Sequence, residues 1–138
     1  MAAIPQSVAD VLGESPLGHL VTVNADGSPQ VSVVWVGVED GELVVGSIGM
    51  RQKLRNVLRD PRVAVSFETP RSNEIGLREY LVVHGRGRVT EGGAPETLQR
   101  LAYGYLGPDV TFPPMPDPPP GYVLRITPER YGGVGPWA

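Results

Sequence analysis

The residues best suited to chemistry in this chain form a basic segment, Met50 to Arg59. Four of the twelve basic residues fall in the nine positions from Arg51 to Arg59, and Lys53 is the only lysine. The apolar spacing of this stretch predicts a helix with Arg51 and Lys53 in its first turn, where unpaired backbone N–H groups favour an anion. An arginine fork and a lysine point charge beside those N–H groups indicate a phosphate site.

The same charges also fit the solvated face of an amphipathic helix, which is the commonest reason for a run of charge. Arg55 and Arg59 lie four residues apart on one edge of the predicted helix, so a surface role suits them. Arg51 and Lys53 are the stronger candidates, because cations in a first helical turn are unfavourable unless an anion binds there. Ser47, shortly before the helix, adds a hydroxyl to the same region.

Other familiar catalytic and metal-binding patterns are missing from the sequence. There is no cysteine and no group of histidine and carboxylate residues at ligand spacing, so no metal site is expected. The hydrolase nucleophile elbow and the phosphate-binding loop of nucleoside triphosphatases are also absent. His19 and His84 fall in predicted strands, where a hydrogen-bonded structural role is commoner than proton donation. No side chain is assigned as catalytic.

Length, charge and hydropathy set the class of protein. The chain has 138 residues, which suits one domain over positions 1–138, and its formal net charge of −3 argues against general nucleic-acid binding. No apolar run reaches the roughly 18 residues of a membrane span. The first residues do not resemble a signal peptide. These features predict a cytoplasmic protein with neither a membrane nor a nucleic acid as partner.

Turn-forming residues divide the chain into short strands. Its 18 glycines and 15 prolines mostly separate apolar runs, as is typical of β-rich folds. Six strands are predicted at 17–24, 29–38, 42–48, 62–69, 79–91 and 122–131, with helices at 5–12, 49–60 and 94–105. These strands suit a closed or half-open antiparallel barrel, because closure removes exposed edges. A proline-rich segment, residues 107–121, is predicted to be a loop inserted before the last strand.

Two stretches resemble the pyridoxamine 5′-phosphate oxidase-like, FMN-binding split-barrel superfamily. The run from Leu20 to Trp35 is similar to its opening hairpin, and the run from Arg51 to Val63 is similar to its phosphate-binding helix and following strand. The pattern Arg-x-Lys-x-x-Asn, at Arg51, Lys53 and Asn56, makes the resemblance specific. It implies a mainly β fold, a six-stranded antiparallel split barrel of Greek-key type with short flanking helices.

Within that superfamily, the short length and the pair Arg51 and Arg55 resemble the actinobacterial F420-dependent reductases of class B. That branch uses the deazaflavin coenzyme F420, whereas related members bind FMN and a few bind haem. The resemblance implies hydride transfer from reduced F420 to a small conjugated acceptor. An FMN-dependent oxidase or reductase and a non-catalytic flavin or F420 carrier are the alternatives. The resemblance also implies a homodimer with the cofactor at the interface.

By position, the resemblance assigns cofactor contacts to two parts of the chain. The second strand would line the ring system, and the start of the basic helix would hold the phosphate. The assigned residues are Gln30, Val31, Ser32, Val33, Trp35, Ser47, Met50, Arg51, Gln52, Lys53, Arg55 and Tyr80. A core role suits Trp35 equally well. In the segment 73–80, only Asn73 and Tyr80 match the family pattern.

Overall fold

The structure, a computed structural model, describes residues 3–138 and consists of one antiparallel sheet and three short helices. The helices are α1 (Gln6–Gly13), α2 (Gln52–Arg59) and α3 (Ala94–Tyr105). The strands are β1 (Gly18–Val23), β2 (Pro29–Val34), β3 (Gly37–Glu39), β4 (Glu42–Ser47), β5 (Arg62–Ser72), β6 (Arg78–Glu91) and β7 (Tyr122–Val134). The mainly β class and the short flanking helices are confirmed. Over the described residues, no helix has the length and hydropathy needed to cross a bilayer.

The predicted count of six strands is wrong, because the predicted second strand, 29–38, breaks at Trp35 and Val36. β2 pairs with β1, whereas β3 pairs with β4. The strand order is β2-β1-β5-β6-β7-β4-β3, so these consecutive strands form opposite edges of the sheet. Since two residues join the edges, the sheet must curl round until they approach each other. No pairing between β2 and β3 closes it within residues 3–138, so the barrel is split.

The inner face of the curled sheet encloses the apolar core. Leu20 of β1, Phe67 of β5, Leu81 of β6 and Leu124 of β7 have no exposed surface. Burying a side chain of this size stabilises the fold by about 1.5–3 kcal/mol relative to leaving it in water. Leu54 of α2 joins the same core, so the apolar face of the basic helix holds it against the barrel.

Glycines allow close packing at two places in the sheet. Gly46 of β4 lies under α3, and a Cβ at this position would stand 2.8 Å from Cγ of Leu98. The missing side chain lets Leu98 pack directly on β4, and a Cβ here would have to displace it. In β6, the register of the pairing with β7 shifts between His84 and Gly85, where a Cβ would clash with the carbonyl oxygen of Thr127.

The proline-rich segment 107–121 is a loop between α3 and β7, as predicted. It is tied to α3 by the side chain of Gln99. Its amide Nε2 donates to the carbonyl of Val110 at 2.9 Å, and the backbone N–H of Phe112 donates to its Oε1 at 2.9 Å. The loop therefore has a defined position beside the helix.

Candidate cofactor site

α2 begins with an open, positively charged end. Arg51 is its N-cap residue in an extended conformation, no side chain caps the helix, and its first turn contains no acid. The first backbone N–H groups of a helix have no partner within it. Across residues 3–138, no ion pair involves Arg51, Lys53 or Arg55. A phosphate bound here would meet unpaired cations and the positive end of the helix dipole, so the residues fit such a group.

The first two cations of this segment lie in different surroundings. Arg51 is exposed, and its guanidinium lies beside Gly49. Lys53 is half-buried and lines a cleft of mostly apolar residues. Burial, and secondly the charge of Arg51, lower the pKa of Lys53 from its usual value. An anion between the two side chains would offset their repulsion and favour the charged form of Lys53.

The cleft beside Lys53 has a volume of about 240 Å³. Its lining residues come from β2, β4, α2, α3 and the proline-rich segment. They are Val33, Val34, Trp35, Val45, Gly46, Lys53, Leu98 and Phe112. Ligand pockets usually measure about 300–1,000 Å³, so this cleft suits one ring system and not a whole dinucleotide. Apolar walls with one cation suit a planar ring that carries an anionic or carbonyl group at its edge.

An aromatic stack borders this cleft, with Trp35 at its centre. The ring of Tyr105 stacks on Trp35 with a centroid distance of 5.4 Å and an interplanar angle of 11°. Phe112 packs on it at 5.0 Å and 57°. The Tyr105 hydroxyl donates to the Pro16 carbonyl at 2.6 Å and accepts from the Val36 N–H at 3.0 Å. Trp35 is therefore both a packed residue and part of the cleft wall.

Asn56 holds α2 against the β1–β2 hairpin. The residue has no exposed surface, and its Nδ2 lies 3.0 Å from Thr22 Oγ1 and 2.8 Å from Asn24 Oδ1. Its Oδ1 accepts from Gln52 Nε2 at 2.8 Å, and its Nδ2 lies 3.4 Å from Gln30 Oε1. Gln30 and Gln52, both predicted cofactor contacts, therefore belong to an anchor that joins the hairpin to the helix start.

The turn before α2 is shaped by Ser47 and Met50. Ser47 is buried, and its hydroxyl donates to the Gly49 carbonyl at 2.6 Å, so its proton is already engaged within the chain. Met50 packs against the core, and its carbonyl lies 3.4 Å from Nη1 of Arg55. These contacts place the residues at the helix start, and direct binding of a phosphate by any of them stays a prediction.

Strand alternation separates the remaining predicted residues. Ser32 lies opposite the buried Leu20, whereas Val31 and Val33 lie on the outer face and are 61% and 58% exposed. Tyr80 lies on β6 and is also exposed. Of the predicted residues, the structure therefore brings together Val33, Trp35 and Lys53 in one cleft. Val31 and Tyr80 lie outside the cleft of their own chain.

A sequence model described as pyridoxamine 5′-phosphate oxidase matches residues 4–135 of the chain. The chain belongs to this family. No curated protein matches the sequence of this chain.

The chain is similar to solved structures of proteins that have different descriptions. An F420 reductase is 25% identical with a TM-score of 0.72, covering 94% of this chain and 98% of its own. The conserved hypothetical protein Rv2991 from Mycobacterium tuberculosis is 25% identical with a TM-score of 0.71, covering 96% and 85%. HutZ, the heme storage protein from Vibrio cholerae, is 16% identical with a TM-score of 0.64, covering 96% and 95%. The last similarity concerns the fold alone.

The sequence patterns did not assign several residues that this family member brings to the cleft. They are Val34, Val45, Gly46, Leu98 and Phe112. All but Val34 lie outside the second strand and the basic helix, and no local pattern links them to Lys53. Asn56 carried a signal, since it ends the Arg-x-Lys-x-x-Asn pattern, but the sequence does not show that it is buried.

Proposed function

We propose that this chain binds coenzyme F420 and acts as an F420-dependent reductase. The bound cofactor would supply hydride transfer to a small conjugated acceptor. One observation carries the proposal: Lys53 belongs both to the open, acid-free start of α2 and to the aromatic-walled cleft. The phosphate and the ring of a single ligand would therefore meet at this side chain. The likeness to an F420 reductase supports the choice of cofactor.

In this proposal each part of the site has one task. Arg51 offers a fork for two phosphate oxygens, and the unpaired N–H groups of α2 add to it. The Lys53 ammonium would interact with both the phosphate and the ring, and its apolar surroundings would strengthen either interaction. Trp35 and Val33 border the ring and exclude water from one side. Asn56 fixes the distance between the helix start and the β1–β2 hairpin, whose second strand carries Val33 and leads into Trp35.

The proposed active form is a homodimer with the cofactor at its interface. The outer face of β2 exposes Val31 and Val33, and Val21 of β1 lies opposite Val31. The outward side of β1, β5 and β6 continues this face with Ala64 and Val82 and with the polar residues His19, Ser66 and His84. Val33 belongs both to this face and to the cleft, so a second copy packed here would border the ligand.

FMN is the alternative cofactor, and the family match favours it, because this family includes flavin-dependent oxidases. FMN offers the same combination of a phosphate and a flat ring system, so Arg51 and Lys53 suit both molecules. A non-catalytic carrier is a further candidate. The observation that favours a carrier is the similarity between the fold of this chain and that of a heme storage protein.

Titration of the purified protein with F420 and with FMN, followed by cofactor fluorescence, tests the proposal. We expect F420 to bind in the micromolar range or tighter. We also expect reduced F420 to be oxidised when the protein and an enone or quinone are both present. Binding of FMN without binding of F420 would assign the alternative cofactor. Binding of F420 without turnover of any acceptor would assign a carrier.

A further inference from the structure

The proline-rich segment 107–121 supplies a wall of the cleft through one residue, Phe112. No other residue of this segment lines the cleft. The ring of Phe112 is partly exposed and packs against Trp35 with a centroid distance of 5.0 Å. Most of the segment is exposed, including Met115 at 42%. An inserted loop that is largely solvated therefore places an aromatic ring beside Lys53.

The position of Phe112 is set by Gln99 of α3. The Gln99 amide donates to the Val110 carbonyl and accepts from the Phe112 N–H, both at 2.9 Å. The Gln99 amide thus uses both a donor and its acceptor on backbone groups two residues apart in the loop. These two hydrogen bonds fix the position of the loop relative to α3. Leu98, the preceding residue of α3, lines the same cleft. One turn of the helix thus provides part of the wall and the anchor for the rest.

We propose that Phe112 is a specificity-determining residue that selects a planar conjugated ring in the Lys53 cleft, and that Gln99 is its positioning residue. This inference rests on the proposed function, because it names the wall against which the ring of a bound ligand packs. Phe112 lines the cleft together with valines of β2 and β4, so a flat ring bound there gains aromatic contact. The ring belongs to the cofactor or to the acceptor, which share this chemistry.

The test compares FMN, F420 and riboflavin as probes, since riboflavin has the ring without the phosphate. Phe112→Ala is expected to weaken the binding of riboflavin and FMN by the same factor, about threefold to tenfold, which is typical for one aromatic contact. Phe112→Tyr keeps the ring and is expected to retain wild-type affinity. Gln99→Ala is expected to act in the same direction as Phe112→Ala. Met115→Ala, in the same segment but outside the cleft, is the matched control and is expected to change nothing.

Affinity and kinetic measurements show whether the ring that Phe112 contacts belongs to the cofactor or to the acceptor. If the dissociation constants of the cofactors rise in Phe112→Ala, Phe112 contacts the cofactor. If only the KM of the acceptor rises, Phe112 contacts the acceptor. A variant with a lower Tm but wild-type affinities and KM values would show that Phe112 only packs on Trp35, and it would overturn the inference.

Failure of the proposed function has a different signature. If the wild-type protein binds none of F420, FMN and riboflavin, the proposed function is wrong. Haemin, which is also a planar conjugated ring, is then the probe for Phe112. If Phe112→Ala binds haemin more weakly than the wild type does, the inference is upheld. If neither protein binds haemin, or both bind it equally well, the inference is overturned.

Discussion

At the scale of single residues, the four cations of α2 and its N-cap differ by environment more than by spacing. Arg51 and Arg55 are exposed without an ionic partner in the described part of the chain, whereas Lys53 is turned into the cleft. Arg59 donates to the Val23 carbonyl and so fastens the helix to β1. The segment is therefore not a uniform polar face, and its parts have separable effects on binding.

Arg51→Ala is predicted to weaken the binding of FMN and F420 but not the binding of riboflavin. The side chain is exposed at the start of α2, so it can reach a phosphate without contacting the ring. A hydrogen bond to a charged group contributes about 1.5–3 kcal/mol, which corresponds to roughly tenfold to 150-fold in the dissociation constant. Lys53→Ala is predicted to weaken the binding of FMN by a similar factor. It is predicted to weaken the binding of riboflavin by a smaller factor, because Lys53 also lines the cleft.

Fluorescence titration with FMN, F420 and riboflavin measures the effects of both substitutions. The matched control is Arg86→Ala, which removes an exposed arginine that pairs with Glu129 on β7. Affinity for FMN that is unchanged in both the Arg51 and the Lys53 variants would contradict the phosphate assignment.

At the scale of elements, α2 and the β1–β2 hairpin form one unit because a buried amide joins them. Asn56→Ala would remove the amide donor to the buried Thr22 hydroxyl, which keeps only its long contact with Gln30 Oε1, and the donor to the half-buried Asn24 amide oxygen. A buried polar group that loses its partner costs about 1–3 kcal/mol, so we predict a loss of roughly 1–3 kcal/mol in the free energy of unfolding. Urea unfolding followed by circular dichroism measures it.

Cofactor affinity is expected to fall together with stability in the Asn56 variant, since the helix start and the cleft wall are then no longer held at a fixed distance. Asn73→Ala is the control, because Asn73 caps an exposed turn by accepting from the N–H groups of Ile75 and Leu77. A stability loss in Asn56→Ala no larger than in the Asn73 control would contradict the anchor role.

Local patterns predicted the elements well where the deciding interactions are local. The turn between the predicted strands 17–24 and 29–38 and the apolar stripe of α2 are short-range signals, and both are present in the structure. The break at Trp35 and Val36 has no such signal, because it arises only when the sheet curls and its edges meet. Phe112 is likewise brought to Lys53 by the packing of α3. The sequence could therefore predict the phosphate end of the site but not the wall of the ring end.

At the scale of the whole molecule, the curled sheet has an inner face filled by the core and an outer face that is only partly covered. α3 packs on β4 at one side of the sheet. On β2, at the other edge, Val31 and Val33 are more than half exposed. Exposed apolar residues grouped on one sheet face are typical of an interface between subunits. The face that includes these two valines is therefore the one through which we expect two copies to associate.

Val31→Asp is predicted to convert a dimer into a monomer and, in the same step, to weaken the binding of F420 and FMN. Val31 is 61% exposed in the single chain, so an aspartate is tolerated in the monomer but costly when buried against a second copy. Size-exclusion chromatography with light scattering measures the mass, and fluorescence titration measures the affinity. Ile75→Asp introduces the same charge in place of an 80% exposed residue in the β5–β6 turn, and it is expected to leave both unchanged. Val31 does not line the cleft, so a loss of affinity without a change in mass would have to come from within one chain. That outcome would contradict a cofactor site completed by the second copy, whereas loss of both together would support it.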